Sequence, residues 1–292
     1  MEGGRKPKVS IICLCYNHSE YVEEAIMSIL NQTYKNIEII VVDDCSIDNS
    51  RDVISRLLLS FPQINFIANQ SNIGNCKSFN KAFAVSTGDY VIDHSADDVL
   101  VDQRVSLQVD LFENLDSTYG LVYSSAEYID EHGKHLAFHF HNDSPSWKRP
   151  YIGEVYEKVV ANYFIPSPTV IFKREVLLKM GGYDETLAYE DFDVIARITK
   201  EYKVAYAGFF STKIRKLRSS MSSTQYSYKS LQLITTLKVC RKILWMNASI
   251  HHSLALQKRI LFESRKAFFS FNLQVFLEFI KLLIRLRSSL RR

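Results

Sequence analysis

The first hundred residues alternate short apolar runs with longer segments in which apolar residues recur every three or four positions. The short runs are rich in Val and Ile and are bounded by polar turn residues, which is typical of buried strands. They predict strands at 9–14, 37–42, 64–67 and 90–92 and amphipathic helices between them at 19–30, 50–60 and 75–85. This rhythm predicts an α/β fold with a parallel sheet that is covered by helices on both faces.

The middle of the chain has a less regular pattern, and its end is helical. A strand is predicted at 121–129, with short helices at 155–161, 175–179 and 191–201. Beyond about Tyr226 the pattern is helical throughout, and from Leu273 onward the apolar and polar residues take opposite sides of one helix. We therefore expect a first domain over residues 1–218 and a basic amphipathic helical tail over residues 219–292.

The charge of the chain is unevenly distributed, although its net charge is only +4. Residues 213–292 contain 17 Lys or Arg and two acids, so the tail carries about +15 and the preceding body about −11. Such a tail is expected to seek an anionic surface, either lipid or nucleic acid. Its wide apolar stripe favours lipid over nucleic acid, and the tail is expected to lie on a membrane surface or to pack against the body.

The sequence lacks the features of an exported or membrane-spanning protein. No apolar run reaches the ~18 residues that a spanning helix needs, and the N-terminus lacks the apolar region of a secretory signal. The five cysteines include no CxxC pair and are expected to be thiols in a reducing compartment. We expect a cytoplasmic protein that is peripheral on the cytosolic face of the membrane.

Two acidic pairs follow predicted strands of the sheet, Asp43-Asp44 and Asp97-Asp98. Ligands of parallel sheets bind beyond the carboxyl ends of the strands, so both pairs lie where a ligand is expected. Either pair alone is equally well explained as solvated turn residues. Together they predict a nucleotide-diphosphate site, because adjacent carboxylates repel one another unless a cation lies between them and Mg²⁺ or Mn²⁺ bridges carboxylates and phosphates. His94, just before the second pair, is expected to have a packing role.

A series of short motifs resembles the family-2 glycosyltransferases with a GT-A fold. The resemblance covers roughly residues 8–218 and is specific in its order and spacing. The matching segments are 9–17 (VSIICLCYN), 29–34 (ILNQTY), 39–46 (IIVVDDCS), 72–74 (NIG), 80–82 (NKA), 88–90 (GDY), 95–98 (SADD), 181–185 (GGYDE) and 190–191 (ED). The fold it implies is a Rossmann-like, mostly parallel sheet flanked by helices, here with a helical extension.

The resemblance implies a set of roles for the donor nucleotide-sugar. Asp44 matches the acid that binds the base of the donor, with Tyr16 and Asn17 beside the same pocket, and Asn72 and Lys77 lie on the loop near the base and phosphates. Asp97 and Asp98 match the motif that holds the ribose and a Mn²⁺ or Mg²⁺ ion. Which of these two carboxylates touches the metal is left open.

The resemblance also implies an inverting mechanism. Asp191, with Glu190 beside it, matches the general base that takes the proton of the acceptor hydroxyl. One base opposite one leaving group implies a single displacement with inversion. The alternative is that Glu190 and Asp191 are acids favoured by the dipole at the start of a helix.

Two positions depart from the family pattern. The family often has Asp where Ser95 stands, and often has His where Leu217 stands. We expect Arg215 to contact the donor phosphates instead, with Lys216 and Arg218 as alternatives. The same departures leave open a second hypothesis, a catalytically inactive protein that binds nucleotide-sugars.

The resemblance implies an enzyme of surface polysaccharide synthesis, such as lipopolysaccharide or capsule. The expected transfer is of the hexosyl or N-acetylhexosaminyl type, from a nucleotide-sugar for which UDP is favoured. The expected acceptor is a saccharide or a lipid-linked saccharide at the membrane. A homodimer is possible, and no nucleic-acid partner is expected.

Overall fold

The computed structural model describes residues 5–140, 149–188, 191–218 and 220–290. Its strands are β1 (Val9–Cys15), β2 (Ile37–Asp43), β3 (Asn65–Ala68), β4 (Tyr90–Ser95), β5 (Val99–Leu100), β6 (Tyr119–Ile129), β7 (His135–Phe138), β8 (Ile171–Lys173) and β9 (Lys203–Arg215). Its helices are α1 (Val22–Leu30), α2 (Ser50–Ser60), α3 (Asn75–Val85), α4 (Arg104–Glu113), α5 (Tyr156–Ala161), α6 (Arg174–Lys179), α7 (Asp191–Glu201), α8 (Leu231–Met246), α9 (Ile250–Phe269) and α10 (Leu273–Leu290).

The predicted α/β fold is confirmed, because the strands join one mostly parallel sheet in the order β3-β2-β1-β4-β8-β6-β9-β5, with β7 paired to β6. β1 pairs in parallel with β2 on one side and β4 on the other. Every residue of β1 is buried, as expected for a strand with helices on both faces. Antiparallel pairing is confined to short ladders that involve β5, β7 and β8.

The sequence pattern did not predict β9, a 13-residue strand that pairs in parallel with β6. The reason is that its buried positions include polar residues, Ser211 and Thr212, which interrupt the apolar pattern. Both are satisfied internally: Ser211 shares a hydrogen bond with the Ser124 hydroxyl, and Thr212 Oγ1 accepts a 2.8 Å bond from buried Arg104. Because β9 ends at Arg215, it brings that residue to the sheet edge discussed below.

The chain divides into two compact units. The first comprises Met1–Gly153, Ile165–Tyr183 and Tyr202–Lys216, and holds the whole sheet. The second comprises Glu154–Phe164, Asp184–Glu201 and Leu217–Arg292, so the predicted tail shares a unit with α5 and α7. The predicted domain boundary after residue 218 stays a prediction.

The helical end of the chain is confirmed as three helices, α8, α9 and α10, within the second unit. Arg259 of α9 links them to earlier segments, because its Nε donates a 3.1 Å hydrogen bond to the Val160 carbonyl and its guanidinium lies 4.5 Å from the Phe192 ring. None of the helices in the described part of the chain combines the length and hydrophobicity that crossing a bilayer requires.

Candidate active site

The carboxyl ends of β1, β2, β3 and β4 meet at one edge of the sheet. The ladder register pairs Cys15 with Asp43 and Leu14 with Ser95. Backbone bonds continue the ladder past the strand ends, from Asp44 N–H to the Cys15 carbonyl and from Ala96 N–H to the Leu14 carbonyl, both 2.9 Å. The two acidic segments therefore flank the end of β1.

The first acidic pair is divided between two tasks. Asp43 is fully buried and accepts a 2.8 Å hydrogen bond from Arg51 Nε, so it already has a cationic partner. Asp44 receives three hydrogen bonds of 2.8–2.9 Å, from the Asn69 amide and from the backbone N–H groups of Ile73 and Gly74. Asp44 thus fixes the 69–74 loop.

Gly74 ends that loop with φ +88°, a conformation that glycine adopts at little cost, and α3 begins at the next residue. Asn72 is exposed on the loop and Lys77 is exposed in the first turn of α3. Both side chains therefore remain open to solvent. Their roles toward base and phosphates stay predictions.

Tyr16 and Asn17 follow β1 directly. Asn17 has a left-handed backbone, φ +58°, and its Oδ1 accepts a 2.9 Å hydrogen bond from the Ile47 N–H. Tyr16 keeps 43% of its surface exposed, which leaves a ring free for contact with a ligand at the sheet edge. Their predicted place beside the base pocket is compatible with this geometry and stays a prediction.

Asp97 and Asp98 lie side by side and are almost completely buried. The Ser95 hydroxyl donates to Asp97 Oδ1, and the Arg215 backbone N–H donates a 2.9 Å hydrogen bond to Asp98 Oδ1. Burial raises the pKa of Asp98 well above its usual range, and the charge of Asp97 raises it further. The pair is therefore costly to ionise together.

Arg215 has a side chain that contacts protein groups on all sides. Its Nε donates to the Asp97 carbonyl at 2.9 Å, its Nη1 to the Asp130 and Glu131 carbonyls, and its Nη2 to Glu24 Oε2 at 2.6 Å. The guanidinium also stacks over the Tyr21 ring at 4.6 Å and is only 4% exposed. These four acceptors use most of its five donors, and its predicted phosphate contact stays a prediction.

Lys216 is a second cation beside the acidic pair. Its Nζ lies 4.2 Å from the centre of the Tyr128 ring, and its backbone N–H donates to the Ile129 carbonyl. Burial lowers the pKa of Lys216, while the charges of Asp98 and Asp97 act in the opposite direction. This ammonium, unlike the Arg215 guanidinium, has no carboxylate within ion-pairing distance among the described residues.

The described residues contain no group of three or more His, Cys, Asp or Glu that could enclose a metal ion. The two carboxylates nevertheless fit Mn²⁺ or Mg²⁺, because these ions are commonly held by one or two carboxylates together with substrate phosphates. Two adjacent buried acids, one with a raised pKa, are also a place where a cation relieves repulsion. Asp97 and Asp98 would hold it.

His18 and Arg104 were not singled out from the sequence, although His18 lies close to the acidic pair and the charge of Asp98 acts on Arg104. His18 Nε2 lies 4.0 Å from Asp97 Oδ2, a contact that the adjacent Tyr16-Asn17 motif could have suggested. Arg104 is fully buried and donates to the carbonyls of Pro168 and Val170. His94, expected to pack, is fully buried and neither ring nitrogen has a hydrogen-bond partner in the described part of the chain.

The predicted general base, Asp191, is the first residue of α7 and is half-buried. It belongs to the second compact unit, whereas the donor-side residues belong to the first. Within its unit, α7 is held by buried Asp193, which accepts a 2.9 Å hydrogen bond from Lys242 of α8. Glu190 lies outside the described residues.

Comparison with known proteins identifies the family. The model of the family described as "Glycosyl transferase family 2" matches residues 10–181, which include every donor-side acid described above. The chain belongs to this family. An uncharacterized glycosyltransferase of Nostoc sp. is 32% identical over 74% of the chain and 63% of its own length. Another, of Methanocaldococcus jannaschii, is 30% identical over 72% of the chain and 71% of its own length.

Solved structures of glycosyltransferases share the GT-A fold of this chain. A mannosyltransferase of Pyrobaculum calidifontis, in complex with GDP-Man and Mn²⁺, has TM-score 0.66 and 16% identity, covering 98% of this chain and 76% of its own. S. aureus TarS 1–349, in complex with UDP-GlcNAc, has TM-score 0.64 and 19% identity, covering 96% and 79%. The likeness to these structures establishes the fold. The chain spans less than two thirds of the length of the Nostoc relative.

Proposed function

We propose that this glycosyltransferase moves a hexosyl or N-acetylhexosaminyl group from a nucleotide-diphosphate sugar, with UDP favoured, to a saccharide or lipid-linked saccharide. The observation that carries the proposal is the convergence of Asp44, Asp97 and Asp98 at one edge of a GT-A sheet. The family match and neighbours that carry UDP-GlcNAc or GDP-Man support a nucleotide-sugar donor. A role in lipopolysaccharide or capsule synthesis, at the cytosolic membrane face, belongs to the same proposal.

The donor-side residues have distinct tasks in this proposal. Asp44 holds the loop that carries Asn72, and Asp44 also binds the base of the donor. The exposed Tyr16 ring lies beside the base. Asp97 and Asp98 would hold the divalent ion, which would supply positive charge to the departing diphosphate. The Ser95 hydroxyl fixes the orientation of Asp97.

The transfer itself is a single displacement. The oxygen of the acceptor hydroxyl forms a bond to the anomeric carbon as the bond from that carbon to the phosphate oxygen breaks. The nucleoside diphosphate leaves with the electron pair, and Asp191 takes the hydroxyl proton. Because attack and departure occur on opposite faces, the product has the inverted anomeric configuration.

The proposal is tested by measuring nucleoside diphosphate release from UDP-, GDP- and dTDP-sugars with Mn²⁺, Mg²⁺ or chelator. We expect turnover of one donor that requires metal, is lost in Asp97→Asn, and falls by roughly 10²–10⁴-fold in Asp191→Asn while donor affinity is unchanged. The matched control is Asp52→Asn, which also removes an acid from the first turn of a helix, α2.

Equal small losses in Asp191→Asn and Asp52→Asn would mean that Asp191 acts only through the helix dipole. Binding of a donor without any turnover, across a panel of saccharide acceptors, would favour the inactive nucleotide-sugar-binding protein. Failure of every donor to bind would refute the proposal as a whole.

A further inference from the structure

The turn between α9 and α10 exposes an unusual amount of aromatic surface. Phe268, Phe269 and Phe271 are 50%, 67% and 75% exposed, and Leu273 and Leu277 continue the surface onto α10 at 54% and 56%. We call these five residues the aromatic turn. Single exposed apolar residues are normal, but a contiguous group of this kind marks an interaction surface.

Hydrogen bonds fix the shape of this turn. Asn272 N–H donates to the Ala267 carbonyl at 2.9 Å and Phe271 N–H to the Phe268 carbonyl at 3.1 Å, which is the bonding pattern of a Schellman helix end. The Asn272 side chain is buried and donates to the Ser227 carbonyl at 2.9 Å. The exposed rings are thus presented by an anchored backbone.

Phe271 occupies a position that glycine would fill at lower cost. Its φ is +58°, in the left-handed region that side chains other than Asn and Asp rarely adopt, and it directly follows a helix end where Gly is common. Neither burial nor backbone preference accounts for a phenylalanine here, since three quarters of the residue is exposed. A ring that is kept in water on a strained backbone points to a role in binding.

The surroundings of the aromatic turn are positively charged. Arg265 and Lys266 are exposed beside it, and the Arg265 guanidinium lies 5.8 Å from the Phe269 ring. The only two acids of residues 213–292 are already engaged: Glu263 is buried against Arg259, and Glu278 is bridged to Arg241 and Lys281. Within residues 213–292, the occupant of this surface therefore meets exposed cations and no unpaired carboxylate.

We propose that the aromatic turn inserts into the interfacial region of an anionic lipid bilayer, with Arg265 and Lys266 at the headgroups. Apolar side chains flanked by basic residues on helices that lie at a surface are the combination that such binding requires. Anionic headgroups supply charges that complement the cations, and the lipid interface accepts Phe rings without specific pockets.

Two other occupants fit less well. A nucleic acid would need a row of ring faces for base stacking, but Leu273 and Leu277 offer none, and the Phe268 ring already contacts the Phe269 and Phe276 rings at centroid distances of 5.6 and 5.4 Å. A second copy joined by a two-fold axis would bring the same patch onto itself and so place its cations near one another. Charge complementarity thus favours the bilayer.

The test is flotation of the full chain with vesicles of phosphatidylglycerol mixed with phosphatidylcholine, compared with phosphatidylcholine alone. We expect binding to the anionic vesicles that weakens in high salt. Phe271→Gly should reduce vesicle affinity about tenfold. Its thermal midpoint should be unchanged or higher, because glycine relieves the left-handed strain.

Leu59→Ser is the matched control, since Leu59 is 87% exposed on α2 of the other compact unit and should not affect vesicle binding. The double variant Arg265→Gln/Lys266→Gln should lose most of the salt-sensitive part of the vesicle affinity. Donor turnover without vesicles should be the same in all these variants, so this test fails or succeeds independently of the proposed enzymatic activity.

Absence of flotation in the wild-type chain would overturn the proposal. So would wild-type affinity in Phe271→Gly, or an equal loss in Leu59→Ser. Self-association or oligonucleotide binding that is abolished by Phe271→Gly, without any vesicle binding, would assign the surface to a second copy or to nucleic acid instead.

Discussion

Replacing Arg215 by Met tests whether this residue builds the site or binds the donor. The substitution keeps the length of the buried stem and removes the guanidinium. Three carbonyl acceptors, on Asp97, Asp130 and Glu131, then lose their hydrogen-bond donor. If Arg215 builds the site, the main effect is on the free energy of unfolding and not on contacts with phosphate.

The magnitude follows from these contacts. Each lost hydrogen bond to a carbonyl costs about 1 kcal/mol, so three cost about 3 kcal/mol. The ion pair with Glu24 adds at most about 1 kcal/mol, because the Glu24 side chain is 58% exposed and is screened by water. We therefore expect Arg215→Met to lower the free energy of unfolding by about 3–4 kcal/mol.

The measurement is urea denaturation of each variant, with UDP affinity determined by calorimetry. Lys216→Met is the matched control, since Lys216 has no comparable set of acceptors among the described residues; it should change stability by less than about 1 kcal/mol. If its ammonium contacts the diphosphate, UDP affinity should fall about tenfold or more in that variant. The reasoning is wrong if Arg215→Met keeps full stability and instead loses UDP affinity.

Two further expectations concern buried titratable groups near the same edge. Burial and the charge of Asp97 hold the pKa of Asp98 high, so an ionised Asp98 opposes folding at neutral pH. Asp98→Asn should therefore raise the free energy of unfolding, measured in chelator, by more than about 1 kcal/mol, and the variant should lose any thermal stabilisation by Mn²⁺. Stabilisation of the variant by Mn²⁺ to the same extent as the wild type would count against Asp98 as a ligand. Burial, and then the charge of Arg104, lowers the pKa of His94 from 6.5 to about 3. As the pH falls from 6.5 to about 3, His94 is therefore protonated in the unfolded chain but stays neutral in the folded chain. Stability should therefore decline with acid by up to about 1.4 kcal/mol per pH unit, and pH-dependent urea denaturation of His94→Leu should show a shallower decline than the wild type.

The donor-side half of the site could be predicted from local sequence. Strands β1, β2 and β4 could be recognised because each contains a buried apolar segment that includes Val and Ile, and a parallel sheet places the residues after them at one edge. The position of Asp44 and Asp97 at this edge follows from that rule alone. The family resemblance added their roles, and only the family and the fold are established by comparison.

The environment of Arg215 could not be predicted in this way. Its contacts join residues that are 84 to 191 positions apart in the chain, and β9, which delivers it, has an irregular pattern with buried Ser and Thr. The sequence indicated a cation near phosphates because arginine suits phosphate. The structure instead surrounds this guanidinium with protein acceptors, a feature that no local pattern records.

The serine at position 95 helps to explain how two carboxylates can be buried side by side. A third acid at this position, as the family often has, would add repulsion to a pair in which Asp98 already resists ionisation. Ser95 removes that charge and supplies a hydroxyl donor to Asp97, while the Arg215 backbone supplies a donor to Asp98. The Arg215 side chain holds the Asp97 carbonyl at the same time, so one residue of β9 fixes both members of the pair. The departure from the family pattern thus replaces a charge by hydrogen bonds at the place where the metal is proposed to bind.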